Sequence, residues 1–364
     1  MESLHNDEYD KYALLSYLND GLHLDEGDAF FGGHTNKWEC REIAHLLHQL
    51  GYNVDVIHYL NDTFIPARPY DVAIDIHANL HRLSPLLPKA CRKVLHATGS
   101  YVPSLIEQEA ERLAELRRRK GVNCRPRRSS NGQTYSNSLR VSDYVSLIGN
   151  DVTLSTYPPE IQSKTTCLNA TASVTQRLDR ATLPNRREFL WLGGGGAVLK
   201  GLDLLLEVFA NRPEIHLNIV GGGGGERDFA KAYRRELFEL NNIEYHDFLD
   251  VSGPEFHSVA ERSVAVIKPS ASEGMSTAVT TAMTVGFYPI ISRQTGIDLP
   301  DGTGIYLDDL SHAAIETAIG RVLSMSESDL IDDIKRVQDH AGSAYSRENF
   351  SKRYRQFLTD EVGV

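Results

Sequence analysis

Glu273 is the acid in this sequence best placed to do chemistry. It stands in AVIKPSASEGMSTAVTTAMTVGFYPIIS, Ala265 to Ser292, which reads as a short apolar strand, a polar loop with one carboxylate, a helix of small residues and a second strand. A run such as Val264-Ala265-Val266-Ile267 suits a parallel sheet, and open α/β sheets bind ligands beyond the carboxyl ends of their strands. Ser276 or Thr277 can cap the helix, which would point its first N–H groups toward Glu273 and any ligand there. An ordinary capped strand-to-helix turn would show the same pattern.

Two glycine runs bear on the same end of the fold. Trp191-Leu192 leads into Gly193, Gly194, Gly195 and Gly196, with Lys200-Gly201 close behind; Ile219-Val220 leads into Gly221, Gly222 and on to Gly225. Glycine lets backbone N–H groups approach a ligand without an intervening Cβ, and a following helix N-terminus favours phosphate oxygens. Neither run has the GxGxxG spacing and distal acid of a nicotinamide cofactor site. Lys200 adds a mobile cation beside the first loop, although a lysine near a helix start is commonly just exposed. His96 ends the apparent strand Lys93-Val94-Leu95, where an imidazole could exchange a proton with a hydroxyl or serve as a satisfied structural group. His34 follows Gly32-Gly33 in a loop between strand and helix, and Asn150 follows the apolar run Tyr144 to Ile148. His77 and His81 could share a helical face, but no carboxylate or third ligand is spaced to complete a metal site.

The segment around Glu273 resembles the donor-site signature of retaining glycosyltransferases of the GT-B fold, in particular glycosyltransferase family 4. Pro269-Ser270, Glu273-Gly274, Ala282-Met283 and Gly286 follow one another as the family's motif does. The resemblance covers Glu188 to Met283, and reaches the first half only through element order and the Gly32-Gly33 loop. It implies two Rossmann-like domains with parallel sheets facing across a cleft, and transfer of a sugar from a nucleotide diphosphate sugar to a hydroxyl of a glycan, lipid or small molecule. By the same resemblance Glu273 lies by the donor sugar, Lys200 holds the diphosphate, His96 approaches the transferred sugar, and the Gly32 to His34 loop lies across the cleft on the acceptor side; Asn150, by its place after a strand, is a further candidate for the cleft. Gly193 to Gly196, Gly221, Gly222, Gly274, Met275, Ser276, Thr277 and Thr281 are then the donor-binding set. No metal or other cofactor is required on this reading, since Lys200 and loop N–H groups can offset leaving-group charge. Two departures stand out: Thr281 where the family has a second Glu for the ribose, and Gly195 where it has an Arg for the diphosphate. They leave open a non-catalytic sugar- or nucleotide-binding module, or the partner subunit of an active enzyme.

Composition agrees with an enzyme-sized globular chain. With 364 residues, 41% hydrophobic and 24% charged, it is suited to two domains. No apolar run approaches a membrane span, and the start MESLHNDEYD lacks the pattern of a secretory leader, so a cytoplasmic location is expected. Cys40, Cys91, Cys124 and Cys167 are scattered, as reduced structural thiols would be. A net charge of −11 argues against nucleic acid as a partner. Yet Arg117, Arg118, Arg119, Lys120, Arg125, Arg127 and Arg128 form a basic block. It is either a solvated helix end or a surface for an anionic acceptor or the inner face of a membrane, where each basic group contributes about 1 kcal/mol.

The elements that must position these residues follow from periodicity. Strands are expected over Tyr12 to Leu18, Val54 to Tyr59, Val72 to Ile76, Lys93 to Ala97 and Tyr144 to Ile148, with a helix over Asn36 to Leu50. A second series is expected at Phe189 to Leu192, His216 to Val220, Ile243 to Tyr245, Val264 to Lys268 and Tyr288 to Ile291, with helices starting near Leu202, Glu226, Glu255 and Ser276. Ala170 to Arg187 lacks periodicity and reads as a linker. The expected domains are therefore residues 1–175 and 176–345, with a final helix from Ser346 that, by the resemblance, crosses back to the first domain.

Overall fold

The structure, a computed structural model, describes residues 1–128, 132–174, 176–183 and 185–364. Thr175, where the first domain was expected to end, and Pro184 in the expected linker lie outside these residues. The chain forms two compact units: Met1–Pro103, Ser130–Ser173 and Ser346–Val364 in the first, Ser104–Ser129 and Val174–Tyr345 in the second.

The first unit is built on a seven-stranded sheet of order β1-β3-β2-β4-β5-β6-β7. Its strands are β1 (Glu2–Leu4), β2 (Lys11–Tyr17), β3 (Tyr52–His58), β4 (Val72–Asp75), β5 (Arg92–Ala97), β6 (Tyr144–Ile148) and β7 (Thr165–Leu168). Only the edge strand β1 runs antiparallel. Its central strands bury nearly every side chain, the signature of a sheet covered on both faces. The helix Thr35–Gln49 turns Ile43, Leu46 and Leu47 inward. The C-terminal helix Arg347–Gln356 packs in this unit: Phe350 meets Trp38 edge to face, and Tyr354 is fully buried against His96.

The second unit has a six-stranded parallel sheet of order β10-β9-β8-β11-β12-β13. Its strands are β8 (Glu188–Gly193), β9 (His216–Gly221), β10 (Ile243–His246), β11 (Ala265–Lys268), β12 (Tyr288–Ile291) and β13 (Ile305–Tyr306). The chain winds from β8 outward to β10, then returns to the other side of β8 to lay down β11. The carboxyl ends of β8 and β11 therefore flank a topological switch point.

Two expectations need correction. Residues 104–129 belong to the second unit, not to the domain spanning 1–175. Charge and apolar packing both hold them there: Leu116 is buried in the second unit's core, and in the helix Val102–Lys120, Arg112 donates to both carboxylate oxygens of Asp203 at 3.1 and 3.0 Å, and Arg119 reaches Asp203 at 2.5 Å and Glu207 at 3.2 Å. The second correction concerns Ala170 to Arg187, which is not a free linker. Thr171 donates through its N–H and hydroxyl to the buried Glu39 carboxylate of the first unit. Arg180, buried in the second unit, donates to the carbonyls of Gly286, Ala260 and Ser263.

Asp203 has no exposed side-chain surface, and removing it would strand two guanidiniums, Arg112 nearly buried and Arg119 partly so. Asp203→Ala is expected to cost about 3–5 kcal/mol of unfolding free energy, read from the urea midpoint of the second unit. A loss below about 1 kcal/mol would mean that the helix Val102–Lys120 is held by apolar contacts instead.

Candidate functional site

The acid loop after β11 is framed by backbone on both sides. On one side, Ala271 N–H donates to Leu199 O at 2.8 Å. On the other, Glu273 N–H donates to Gln294 O at 3.0 Å and Ser276 N–H to Thr295 O at 2.9 Å. Gly201 makes the first junction possible: its φ is +71°, and a Cβ there would strike the Pro269 carbonyl. The turn carrying Lys200 is thereby pressed against the loop carrying Glu273. Ser276 is the N-cap residue of the helix Thr277–Val285, but its side chain makes no capping hydrogen bond. Met275 and Ser276 are buried, while Gly274 and Thr277 are partly exposed.

Charge is concentrated where these loops meet. Lys200 Nζ lies 3.8 Å from Glu273 Oε2, and both side chains keep only a small exposed surface. Ser270 Oγ donates to Glu273 Oε1 at 2.7 Å. Burial alone would raise the Glu273 pKa, but Lys200, then Lys268, and the Ser270 hydroxyl bring it below the usual carboxylate value. Glu273 is therefore held as an acceptor at neutral pH. Lys268, which the sequence reading passed over, is the second cation. It is fully buried at the end of β11, with Nζ donating to Leu192 O at 2.6 Å and lying 4.3 Å from the Trp191 ring centre. Burial pulls its pKa down to about 7, with Glu273 opposing and Lys200 reinforcing that shift. Its sequence signal was present but weak: a lysine ending an otherwise apolar strand, directly before Pro269.

The glycine runs do a different job from the one expected. A Cβ on Gly221 would strike the Gly193 carbonyl, and one on Gly222 would strike the Gly194 carbonyl. Gly222 N–H donates to Gly193 O at 2.7 Å. The two loops lie backbone against backbone, and only glycine permits that approach. The N–H groups of Gly196 and Ala197 donate to Glu226 Oε1 at 2.6 and 3.0 Å. They already hold an anion from the chain itself, so the cradle expected at Gly196 is occupied internally. Gly194 and Gly195 remain exposed.

The other expected site residues fall into structural roles. Thr281 is only 1% exposed, on a helix that buries Val279 to Val285. His96 is fully buried in the first unit, and this corrects its expected catalytic role. Its Nδ1 pairs with Ser146 Oγ at 2.9 Å, its ring packs between Tyr17 and Tyr354, and its Nε2 is buried with no hydrogen-bond partner among the described residues. Desolvation drives its pKa down to about 3, so it stays neutral and out of solvent's reach. His34 is the exposed N-cap of Thr35–Gln49, its Nδ1 accepting from Asn36 N–H at 3.3 Å, and Gly32 and Gly33 lead into it. Asn150 likewise caps Asp151–Leu154, accepting from Val152 and Thr153. Of the basic block, Arg119, Lys120 and Arg127 are spent on internal carboxylates, whereas Arg117 and Arg118 are exposed. Among the described residues, no group of three His, Cys, Asp or Glu could hold a metal ion, and no helix is long and apolar enough to cross a membrane.

Residues 183–331, all within the second unit, match the family model described as Glycosyl transferases group 1. Comparison with curated proteins gives no match. Among solved structures the chain is similar to sucrose-phosphate synthase from Thermosynechococcus elongatus, with a TM-score of 0.65, 16% identity, and 96% of this chain and 98% of that chain covered. It is similar to HepE of Anabaena, solved in complex with UDP and glucose, with a TM-score of 0.62, 13% identity and coverage of 96% and 99%. It is also similar to WaaG, a glycosyltransferase involved in lipopolysaccharide biosynthesis, with a TM-score of 0.57, 13% identity and coverage of 96% and 99%. At these identities the likeness establishes the fold, which is GT-B.

The buried Lys268 makes stability depend on pH. Its pKa is about 7 when folded against 10.5 in the open chain, so between those values the unfolded state holds the extra proton and stability rises with pH. Thermal melts of the parent and Lys268→Met should therefore diverge by a constant amount below about pH 7, with the parent gaining on the variant from there to about pH 10. A parent-to-variant difference that does not change with pH would show that Lys268 keeps an ordinary pKa.

Proposed function

We propose that this chain, a glycosyltransferase of the GT-B fold with a glycosyl transferases group 1 domain over residues 183–331, takes a nucleotide diphosphate sugar as donor and passes the sugar to a hydroxyl with retention of configuration. The observation that carries the reading is the Lys200–Glu273 pair, 3.8 Å apart at the switch point of the second sheet. A donor of this class presents sugar hydroxyls, which need an acceptor, and a diphosphate, which needs a cation. Glu273, held ionised by two lysines, accepts from the hydroxyls and orients the ring. The Lys200 ammonium meets the diphosphate as negative charge builds on the leaving group, an effect that grows in a partly dehydrated site. The acceptor hydroxyl then attacks from the face the leaving group departs, and its proton passes to the departing diphosphate oxygens. The acceptor is a glycan, a lipid or a small molecule, and the exposed Arg117 and Arg118 would draw an anionic one, or an anionic membrane surface, toward the protein.

A binding module that never turns over its ligand is the second reading. It is favoured by the burial of Thr281 and by the absence of a side chain at Gly195. Release of nucleoside diphosphate from a panel of nucleotide sugars separates the two. Glu273→Gln and Lys200→Ala are each expected to lower turnover by at least about tenfold, roughly 1.4 kcal/mol of transition-state stabilisation. If both variants match the parent, the site assignment is wrong; a parent that binds a nucleotide sugar without ever releasing diphosphate is a binding module.

A further inference from the structure

The first glycine loop carries a cation that does not come from its own stretch of sequence. Arg128, from the segment Ser104–Ser129 that packs in the second unit, lies over Gly195 and Gly196. Its Nη2 donates a long hydrogen bond of 3.5 Å to Gly195 O, and a Cβ on Gly196 would stand 3.4 Å from the same nitrogen. Gly196 has φ +90°, a backbone conformation that selects glycine there.

The placement is built rather than incidental. The buried Glu109 carboxylate accepts from Arg127 N–H at 2.9 Å and Arg128 N–H at 2.8 Å. Arg127 is anchored by Glu226 at 3.3 Å and by Asp228, and Arg125 N–H donates to Asp228 at 2.6 Å. Three carboxylates thus fix the chain that leads into Arg128, and they hold it through Arg125, Arg127 and the Arg128 N–H rather than through the Arg128 guanidinium. Among the described residues its Nε is buried without a hydrogen-bond partner, and its Nη2 makes only the long bond to Gly195 O. A guanidinium held in place with unused donors, beside exposed loop backbone, is arranged to receive an anion.

The loop amides leave that task to side chains. Gly196 and Ala197 N–H are occupied by Glu226, so positive charge for a ligand phosphate must come from elsewhere. We propose that Arg128 binds phosphate oxygens of the donor diphosphate over Gly194–Gly195, sharing the anion with Lys200, which sits one turn beyond the same loop. Lys200 N–H donates to Gly196 O at 2.9 Å, so both cations are referred to one piece of backbone. The planar fork of the guanidinium suits two oxygens of one phosphate, whereas the ammonium acts as a point charge. The proposal rests on the donor reading above.

The test measures binding by calorimetry on the full chain, with inorganic pyrophosphate and then UDP, ADP and GDP as probes. Arg128→Ala is expected to weaken pyrophosphate and whichever nucleoside diphosphate binds by at least about tenfold, and Arg128→Lys by less, because charge is kept and the fork is lost. Lys335→Ala, which removes an exposed charge elsewhere on the second unit, should leave both affinities unchanged. Melting temperatures without ligand report folding, and the Glu109 bonds survive in every variant because they are made by backbone N–H groups. If Arg128→Ala binds as the parent does while Lys200→Ala is weakened, the role of Arg128 is refuted and the donor reading stands. Equal weakening by Lys335→Ala would reduce the effect to bulk charge and also refute it. A parent that binds neither pyrophosphate nor any of the three nucleotides overturns both.

Discussion

A carboxylate that is mostly buried stays ionised only if cations are held beside it, and the second unit is organised around meeting that demand for Glu273. Lys200 and Lys268 reach it from different directions, one from the turn after β8 and one from the end of β11. Neither could do so if the strands were not adjacent, and β8 and β11 are adjacent because the chain reverses its winding direction there. The switch point thus does more than open a crevice. It brings two strand ends that are about 75 residues apart in sequence into one electrostatic cluster, and the fold's topology becomes the site's charge balance.

Glycine serves packing here before it serves a ligand. Gly201 lets the Lys200 turn lie on Pro269, and Gly221 and Gly222 let the loop after β9 lie on the loop after β8. In each case a methyl group would separate two backbones that the site needs in contact. These two junctions fix how the loops stack above the sheet, and the first of them sets the Lys200 turn beside the loop that carries Glu273. A glycine-rich loop in a sequence is therefore ambiguous: what its missing side chains admit can be phosphate or simply the next loop.

Much of the fold was legible because apolar runs and helical periodicity report burial directly. The strands from Tyr12 onward, the helix Thr35–Gln49 and the loop that carries Glu273 appear within a residue or two of where the pattern puts them. The strands β1, β7 and β13 were not legible; they are short or polar, and edge strands need little apolar content. The placement of residues 104–129 was hidden for another reason. Its basic residues look like a solvated helix end until Asp203, Glu207 and Asp228 are brought to them from about 90 to 100 residues further along the chain. His96 was misread because a strand end facing solvent and one capped by a distant helix have the same local sequence. Tyr354, which closes over it, lies in the last elements of the chain.

The same long-range logic bears on what the two departures from the family pattern mean. A missing side chain at Gly195 would read as a missing charge if each position acted alone, but electrostatics counts charges in space and not in sequence. Around the loop Gly193–Gly196 the chain gathers Lys200 from one turn onward, Lys268 from the neighbouring strand and Arg128 from another part of the sequence. Gly196 faces the Arg128 guanidinium, and the Gly195 carbonyl accepts its long hydrogen bond. Thr281 differs in kind, since it is buried on the helix Thr277–Val285 and a threonine brings no side-chain charge of its own. Loss at a position and loss at a site are thus separate events: the first is read from one residue, and the second requires the surrounding charges to be counted after folding.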